Sequence, residues 1–197
     1  MTTTPRTARV ERRTGETEIR LELNLDGEGL AEVQTGLGFL DHMLTALAKH
    51  GRLDLELECE GDLDVDDHHT AEDCALALGT AIDQALADRR GTRRFGHAYA
   101  PLDEALARVV VVFSGRPSAH VDLGFRRERI GDVATENLTH VFTSLATTAR
   151  MTLHVDVLKG SNDHHRAEAA FKALALALRD AISLDGSAEV PSTKGVL

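Results

Sequence analysis

The sequence predicts an α+β fold made of two copies of a unit of about 90 residues. Three observations carry this expectation. Residues 41–73 and 139–169 follow one plan. Each starts with a histidine on a helical pattern (His42, His140), passes through an alternating strand, crosses a glycine-containing loop and arrives at His-His-x-x-Glu. The spacing from the first histidine to the pair is 26 residues in one copy and 24 in the other. Upstream, Glu16, Arg20 and Gly27 match Glu104, Arg108 and Gly115 at a constant offset of 88.

The elements follow from periodicity. Ile19, Leu21, Leu23 and Leu25 alternate with polar residues, as do Leu53, Leu55, Leu57 and Cys59, and Leu153, Val155 and Val157. Period-2 alternation marks strands buried on one face. Phe39, Leu40, Met43, Leu44 and Leu47 recur at helical spacing, as do Leu138, Val141, Phe142 and Leu145. Residues 71–86 and 167–182 are rich in Ala and Leu and predict long core helices. Each half therefore reads strand, strand, helix, strand, helix, give or take a strand. One-faced strands need cover on one side only, so two antiparallel or mixed sheets with helices on one face are expected. No stretch has linker composition, and the halves, about 1–95 and 96–197, are expected to pack together as one domain.

Composition narrows the function. The 197 residues carry 22 Lys and Arg against 32 Asp and Glu, a net charge of −10, which argues against an extended nucleic-acid surface. The central apolar run 109–113 is far short of the ~20 residues of a spanning helix, and the N-terminus shows no apolar signal core, so no membrane or secretory role is expected. Two cysteines, Cys59 and Cys74, make no disulfide framework and read as small buried residues in a reducing compartment.

Ten histidines, most of them clustered, are the unusual feature. His68 and Glu72 share a helix face at i, i+4, as do His164 and Glu168, whereas His69 and His165 are turned by ~100°. With this composition an HHxxE arises by chance about 0.04 times per chain, yet two stand at equivalent repeat positions. Two metal sites shared across the halves are expected: His68, Glu72, His140 and His165 in one, His42, His69, His164 and Glu168 in the other. Three imidazoles and a carboxylate without a thiolate suit Mn, Fe, Co, Ni or Zn. Spacing leaves open whether each site lies within or between chains. His154 should face away from the core, His97 and His120 lack partners, and His50 closes the first helix, where a cation complements the dipole. GTRRFG (91–96), SGRP (114–117) and PSTKG (191–195) each set a cation beside glycine or hydroxyl groups, a pattern that fits an anionic substrate.

FLDHML (39–44), DDHHTAED (66–73), RRFG (93–96), PLDEAL (101–106), SGRP (114–117), NDHHRAEAAFKALALAL (162–178) and PSTKGVL (191–197) resemble the imidazoleglycerol-phosphate dehydratase family over nearly the whole chain and in the family's order. The resemblance implies a duplicated fold like the second domain of ribosomal protein S5. It implies a cytoplasmic hydro-lyase of histidine biosynthesis that dehydrates imidazole glycerol phosphate to imidazole acetol phosphate through a metal-stabilised imidazolate. It also implies two Mn2+ ions, with other divalent metals possible, and a cage of twenty-four subunits built from trimers. On matched motifs the eight ligands above coincide with the family's. Glu16 takes the place of its acid/base glutamate, Arg94, Arg116, Ser192 and Lys194 of its phosphate contacts, and His50 and Lys172 of substrate contacts. Thr45 and Ala46 depart from the Asp-Gln frequent after DHML, and Val112 stands where many members have Asp. The competing readings are another dinuclear metalloenzyme, such as a hydrolase, and a metal-storage protein. The first needs a metal-bound water; the second has no use for Arg94, Arg116 and Lys194.

Overall fold

A computed structural model describes residues 5–195. The last two residues of the PSTKGVL motif, Val196 and Leu197, lie outside that range, as do the first four of the N-terminus. In the first half, strands β1 (Thr7–Arg13), β2 (Thr17–Asn24) and β3 (Ala31–Gln34) precede helix α1 (Gly38–Gly51), strand β4 (Asp54–Gly61) and helix α2 (His68–Leu86). In the second half, β5 (Phe95–Leu102), β6 (Ala105–Val112) and β7 (Ser118–Asp122) lead through a short hairpin of β8 (Arg129–Ile130) and β9 (Val133–Ala134). Then come α3 (Thr135–Thr148), β10 (Thr152–Lys159) and α4 (Asp163–Ile182). The two principal sheets have the same order, β1-β2-β4-β3 and β5-β6-β10-β7, each closed by a parallel pair at one edge. The duplicated α+β architecture is thus present, with three strands of the principal sheet rather than two ahead of the first helix of each half. Strands β1, β3, β5 and β7 are the sheet edges.

Alternation decides which face each sheet buries. Ile19, Leu21 and Leu23 pair with Cys59, Leu57 and Leu55 on the inner face, while Glu18, Arg20 and Glu22 pair with Glu60, Glu58 and Glu56 outside. In the second sheet Ala107, Val109 and Val111 face inward beside Leu153 and Val155. On its outer face His154 stacks on His120 across the parallel strands, ring centroids 4.6 Å apart. Cys59 and Cys74 are both buried and free. Among the described residues no helix is long and apolar enough to cross a membrane.

The helices bring the halves together. Helix α1 packs against α4, and α2 against α3, so each helix pair joins one copy of the repeat to the other. Phe142 of α3 and Phe171 of α4 are fully buried with ring centroids 4.7 Å apart, and burying such a ring contributes roughly 1.5–3 kcal/mol. Helices α2 and α3 approach closely because Gly79 has no side chain. A Cβ there would meet Thr148 Oγ1 at 2.1 Å and the Leu145 carbonyl oxygen at 2.6 Å, so any larger residue forces the pair apart.

The halves also cap each other's helices. The backbone N–H groups of Gly38 and Phe39, at the start of α1, donate to the Asp132 carboxylate from the β8–β9 turn (2.6 and 3.1 Å). In return Asp67, just before α2, accepts from the Ala134 N–H and the Asn137 amide at the start of α3 (2.7 and 2.9 Å). These bonds tie the histidine-bearing ends of α1, α2 and α3 to the opposite half.

Candidate active site

The crossed packing assembles two side-chain clusters, each drawn from both halves. His42 of α1 meets His164 and Glu168 of α4; His68 and Glu72 of α2 meet His140 of α3. Within each trio the ligand atoms lie within 4.8 Å of one another. The Nε2 atoms of His42 and His164 stand 3.3 and 3.2 Å from Glu168 Oε2. In the other trio His140 Nε2 is 3.1 Å from Glu72 Oε1, and His68 Nε2 is 3.6 Å from Glu72 Oε2. The reason is local. The i, i+4 spacing of each HHxxE puts its first histidine and its glutamate on one helix face, and the facing helix of the other half supplies the third group. Two imidazole nitrogens and a carboxylate in so small a span, with no thiolate near, suit a divalent transition-metal ion.

The second histidine of each motif stands outside its expected set within one chain. His69 Nδ1 donates to Asp62 (3.0 Å to Oδ2), and its Nε2 lies 3.6 Å from Glu16 Oε1. His165 Nδ1 donates to Glu104 Oε2 at 2.7 Å. The cause is the ~100° turn between adjacent helical residues, which sends these rings away from the trios.

Glu16 sits in the turn between β1 and β2, its side chain 53% exposed. Its N–H donates to the Thr14 hydroxyl. Lys172, one turn beyond Glu168, donates to Glu168 Oε1 at 2.6 Å. His50, in the last turn of α1, feels the charges of both. The repeat equivalents of Lys172 and His50 are Leu76 and Thr148, so only the His42–His164–Glu168 cluster is flanked by these polar groups. The three cationic motifs converge elsewhere on one cavity of about 440 Å3, lined by Arg94, Ser114, Gly115, Arg116, Ser192, Thr193 and Lys194. Arg94 is held there by donating to the carbonyls of Phe113 (3.2 Å) and Pro191 (2.7 Å). Arg93 instead pairs with Asp180. Ala46, at the departure from the family pattern, is buried in α1.

Protonation follows the partners. The bond to Asp62 raises the His69 imidazole above its ordinary value, and the bond to Glu104 does the same for His165. Glu104, accepting from His165 and from two backbone N–H groups, is held far below the usual carboxylate range. Burial pushes Glu168 up, but the bonds from Lys172 and His42 outweigh it and leave the carboxyl below its ordinary value. Burial, then the Lys172 charge, pushes the His50 imidazole down. Arg94 is lowered by burial and by the nearby Arg116 and Arg89.

Several supporting groups were not singled out from sequence. His68 Nδ1 donates to the Asn137 side-chain oxygen at 2.9 Å, and the Asn137 amide donates to Asp67, whose carboxyl stays below its ordinary value despite burial. Asp62 and Asn137 carry no motif signal; Asp67 lies in DDHHTAED, but nothing in that motif marks its bond across the halves. Glu104 did carry a signal: the repeat register aligns it with Glu16.

Fold and site together define the class, a small-molecule enzyme of duplicated α+β architecture with twin His/Glu clusters and a cationic cavity. Comparison with known proteins narrows it. The model of the imidazoleglycerol-phosphate dehydratase family matches residues 35–178, and the chain belongs to that family. It is 58% identical over 197 residues to the imidazoleglycerol-phosphate dehydratase of Phaffia rhodozyma, covering 98% of this chain and 96% of that protein. To that of Salinibacter ruber it is 55% identical over 194 residues, with 98% and 96% covered. A relative in Phytophthora nicotianae, 59% identical over 192 residues, is longer: the match covers 98% of this chain but 42% of that protein. Among solved structures, the Pyrococcus furiosus enzyme in complex with (S)-C348 superposes with a TM-score of 0.83 at 38% identity, covering 95% of this chain and all of that one. The Staphylococcus aureus enzyme gives 0.82 at 35%, covering 90% and 99%. Family membership makes the chain a hydro-lyase of histidine biosynthesis.

Proposed function

We propose that residues 1–197 act as a single domain, with halves at about 1–95 and 96–197, that dehydrates imidazole glycerol phosphate to imidazole acetol phosphate with two Mn2+ ions per subunit. The observation that carries the metal reading is the pair of His/His/Glu trios, each split across the halves. His42, His164 and Glu168 would hold one ion, and His68, Glu72 and His140 the other. His69 and His165 would complete the two sets. Because their rings leave the trios of their own chain, a neighbouring copy is the natural recipient. That supports a homo-oligomer; the family resemblance makes it a cage of twenty-four subunits built from trimers, working in the cytoplasm.

The chemistry assigns the remaining groups. The hydroxyl beside the imidazole ring leaves without a carbonyl to acidify the adjacent proton. A divalent ion held by either His/His/Glu trio would supply Lewis acidity, which would favour the imidazolate form of the ring. Glu16, exposed and beside His69, takes the C–H proton next to the departing hydroxyl, leaving an enol that tautomerises to the ketone. Arg94, Arg116, Ser192 and Lys194 line the cavity that takes the phosphate. His50 and Lys172 flank the His42 trio and contact the substrate there. The same cavity disfavours a storage protein, which has no need of it.

Lys194→Ala tests the anchoring. Loss of a charge-assisted bond worth ~1.5–3 kcal/mol raises the Michaelis constant by roughly 10–150-fold, with turnover and metal content near those of the parent. Steady-state kinetics with an unchanged Michaelis constant would remove Lys194 from the phosphate site.

A further inference from the structure

The two halves differ in how they hold the second histidine of each motif. In the second half β5 and β6 are joined by a two-residue turn, with Asp103 at φ 46°, and the turn delivers Glu104 to the start of α4. Glu104 Oε1 accepts from the N–H groups of Ser161 (2.9 Å) and Asn162 (2.8 Å), which commits that oxygen to the loop. Its other oxygen, Oε2, is left for His165 Nδ1 at 2.7 Å. In the first half β1 and β2 are joined through residues 14–16, and the aligned glutamate, Glu16, makes no such bond to its histidine. The loop before α2 is longer than the one before α4, and it supplies Asp62. The Asp62 backbone is tied to the Glu16 carbonyl (N–H to O, 3.1 Å), and both its carboxylate oxygens face His69 Nδ1 at 3.2 and 3.0 Å.

We propose that Glu104 and Asp62 are positioning residues: each accepts a hydrogen bond from the Nδ1–H of its histidine, so that Nε2 of His165 and of His69 is presented with a free lone pair to a metal ion. The inference rests on the reading of these histidines as ligands. A ligating imidazole needs its other ring nitrogen held as a donor, which fixes both tautomer and ring orientation. Asp62 performs in the first half what Glu104 performs in the second, from a position unrelated by the repeat. This exchange leaves Glu16, the repeat partner of Glu104, with a carboxylate free for proton transfer.

The two carboxylates should respond differently to the same chemical change. In Glu104→Gln the amide oxygen keeps the Ser161 and Asn162 bonds, so the NH2 group faces His165 Nδ1 and forces the proton onto Nε2, removing the lone pair. In Asp62→Asn neither oxygen is committed to the backbone, so the amide oxygen still accepts from His69. Mn2+ affinity of the purified full-length protein, read by chelator competition, should fall by ~10–100-fold in Glu104→Gln and Asp62→Ala, and by less than about threefold in Asp62→Asn. The thermal midpoint of the metal-free proteins should stay close to the parent's for Glu104→Gln, since its loop bonds remain. His165→Ala is the reference. If it weakens Mn2+ binding but Glu104→Gln and Asp62→Ala do not, the positioning roles are wrong while the ligand reading stands. If His165→Ala and His69→Ala leave binding unchanged, the ligand reading fails and the positioning roles fall with it.

Discussion

Glu16→Gln lowers turnover by ~10²–10⁴-fold with substrate and metal still bound. The substitution keeps size and shape and removes only the ability to accept a proton. The environment of Glu16 singles it out. Its aligned counterpart Glu104 is committed on both oxygens, whereas Glu16 is half exposed, takes no backbone donor among the described residues and lies 3.6 Å from His69 Nε2. Being outside both His/Glu trios, it can change without emptying either. The expected pattern in steady-state kinetics is therefore a fall in kcat with little change in KM and an unaltered metal content. A Glu16→Gln protein with near-normal kcat would take this residue out of the proton transfer.

His140→Ala and His164→Ala should each remove one of two bound ions and reduce activity by more than ~100-fold, since even residues that only support metal ligands cost 10–100-fold when lost. The trios are built on different helix pairs, α2 with α3 and α1 with α4, and share no residue. Loss of one imidazole leaves the other trio intact, so elemental analysis of loaded, desalted protein should give about half the parent's metal in either variant. The double variant should hold none. Full metal content in both single variants would break the link between these clusters and metal binding.

Much of this was legible in the sequence, for physical reasons that differ by element. Strands β2, β4 and β10 sit mid-sheet, buried on one face, and their alternation is strong. Strands β1, β3 and β7 are edges whose sides are both partly solvated, so TARVERR and SAHVD carry little pattern. The first histidine of each HHxxE and its glutamate were legible because i, i+4 spacing fixes a helix face. Their partners His42 and His140 were legible because the repeat places them alike, and the packing of α1 on α4 and α2 on α3 gives the crossing a structural basis. The directions of the His69 and His165 rings were not legible. They depend on Asp62, in a loop whose length differs between the halves, and on Glu104, whose reach depends on a two-residue turn. Asn137 and Asp132 act across the halves, from residues about 70 and 94 positions away from their partners, and no local spacing encodes such contacts. The convergence of RRFG, SGRP and PSTKG on one cavity was legible only as three separate weak signals.

If the His/Glu clusters hold the metal on which the reaction depends, this chain removes water from imidazole glycerol phosphate only when that metal is bound. The most direct test follows ketone formation from imidazole glycerol phosphate by one preparation in three states: as purified, stripped with chelator, and reloaded with Mn2+. Imidazole acetol phosphate is expected from the first and third and none above background from the second. Undiminished ketone formation by the stripped protein, with elemental analysis confirming that no metal remains, would contradict it.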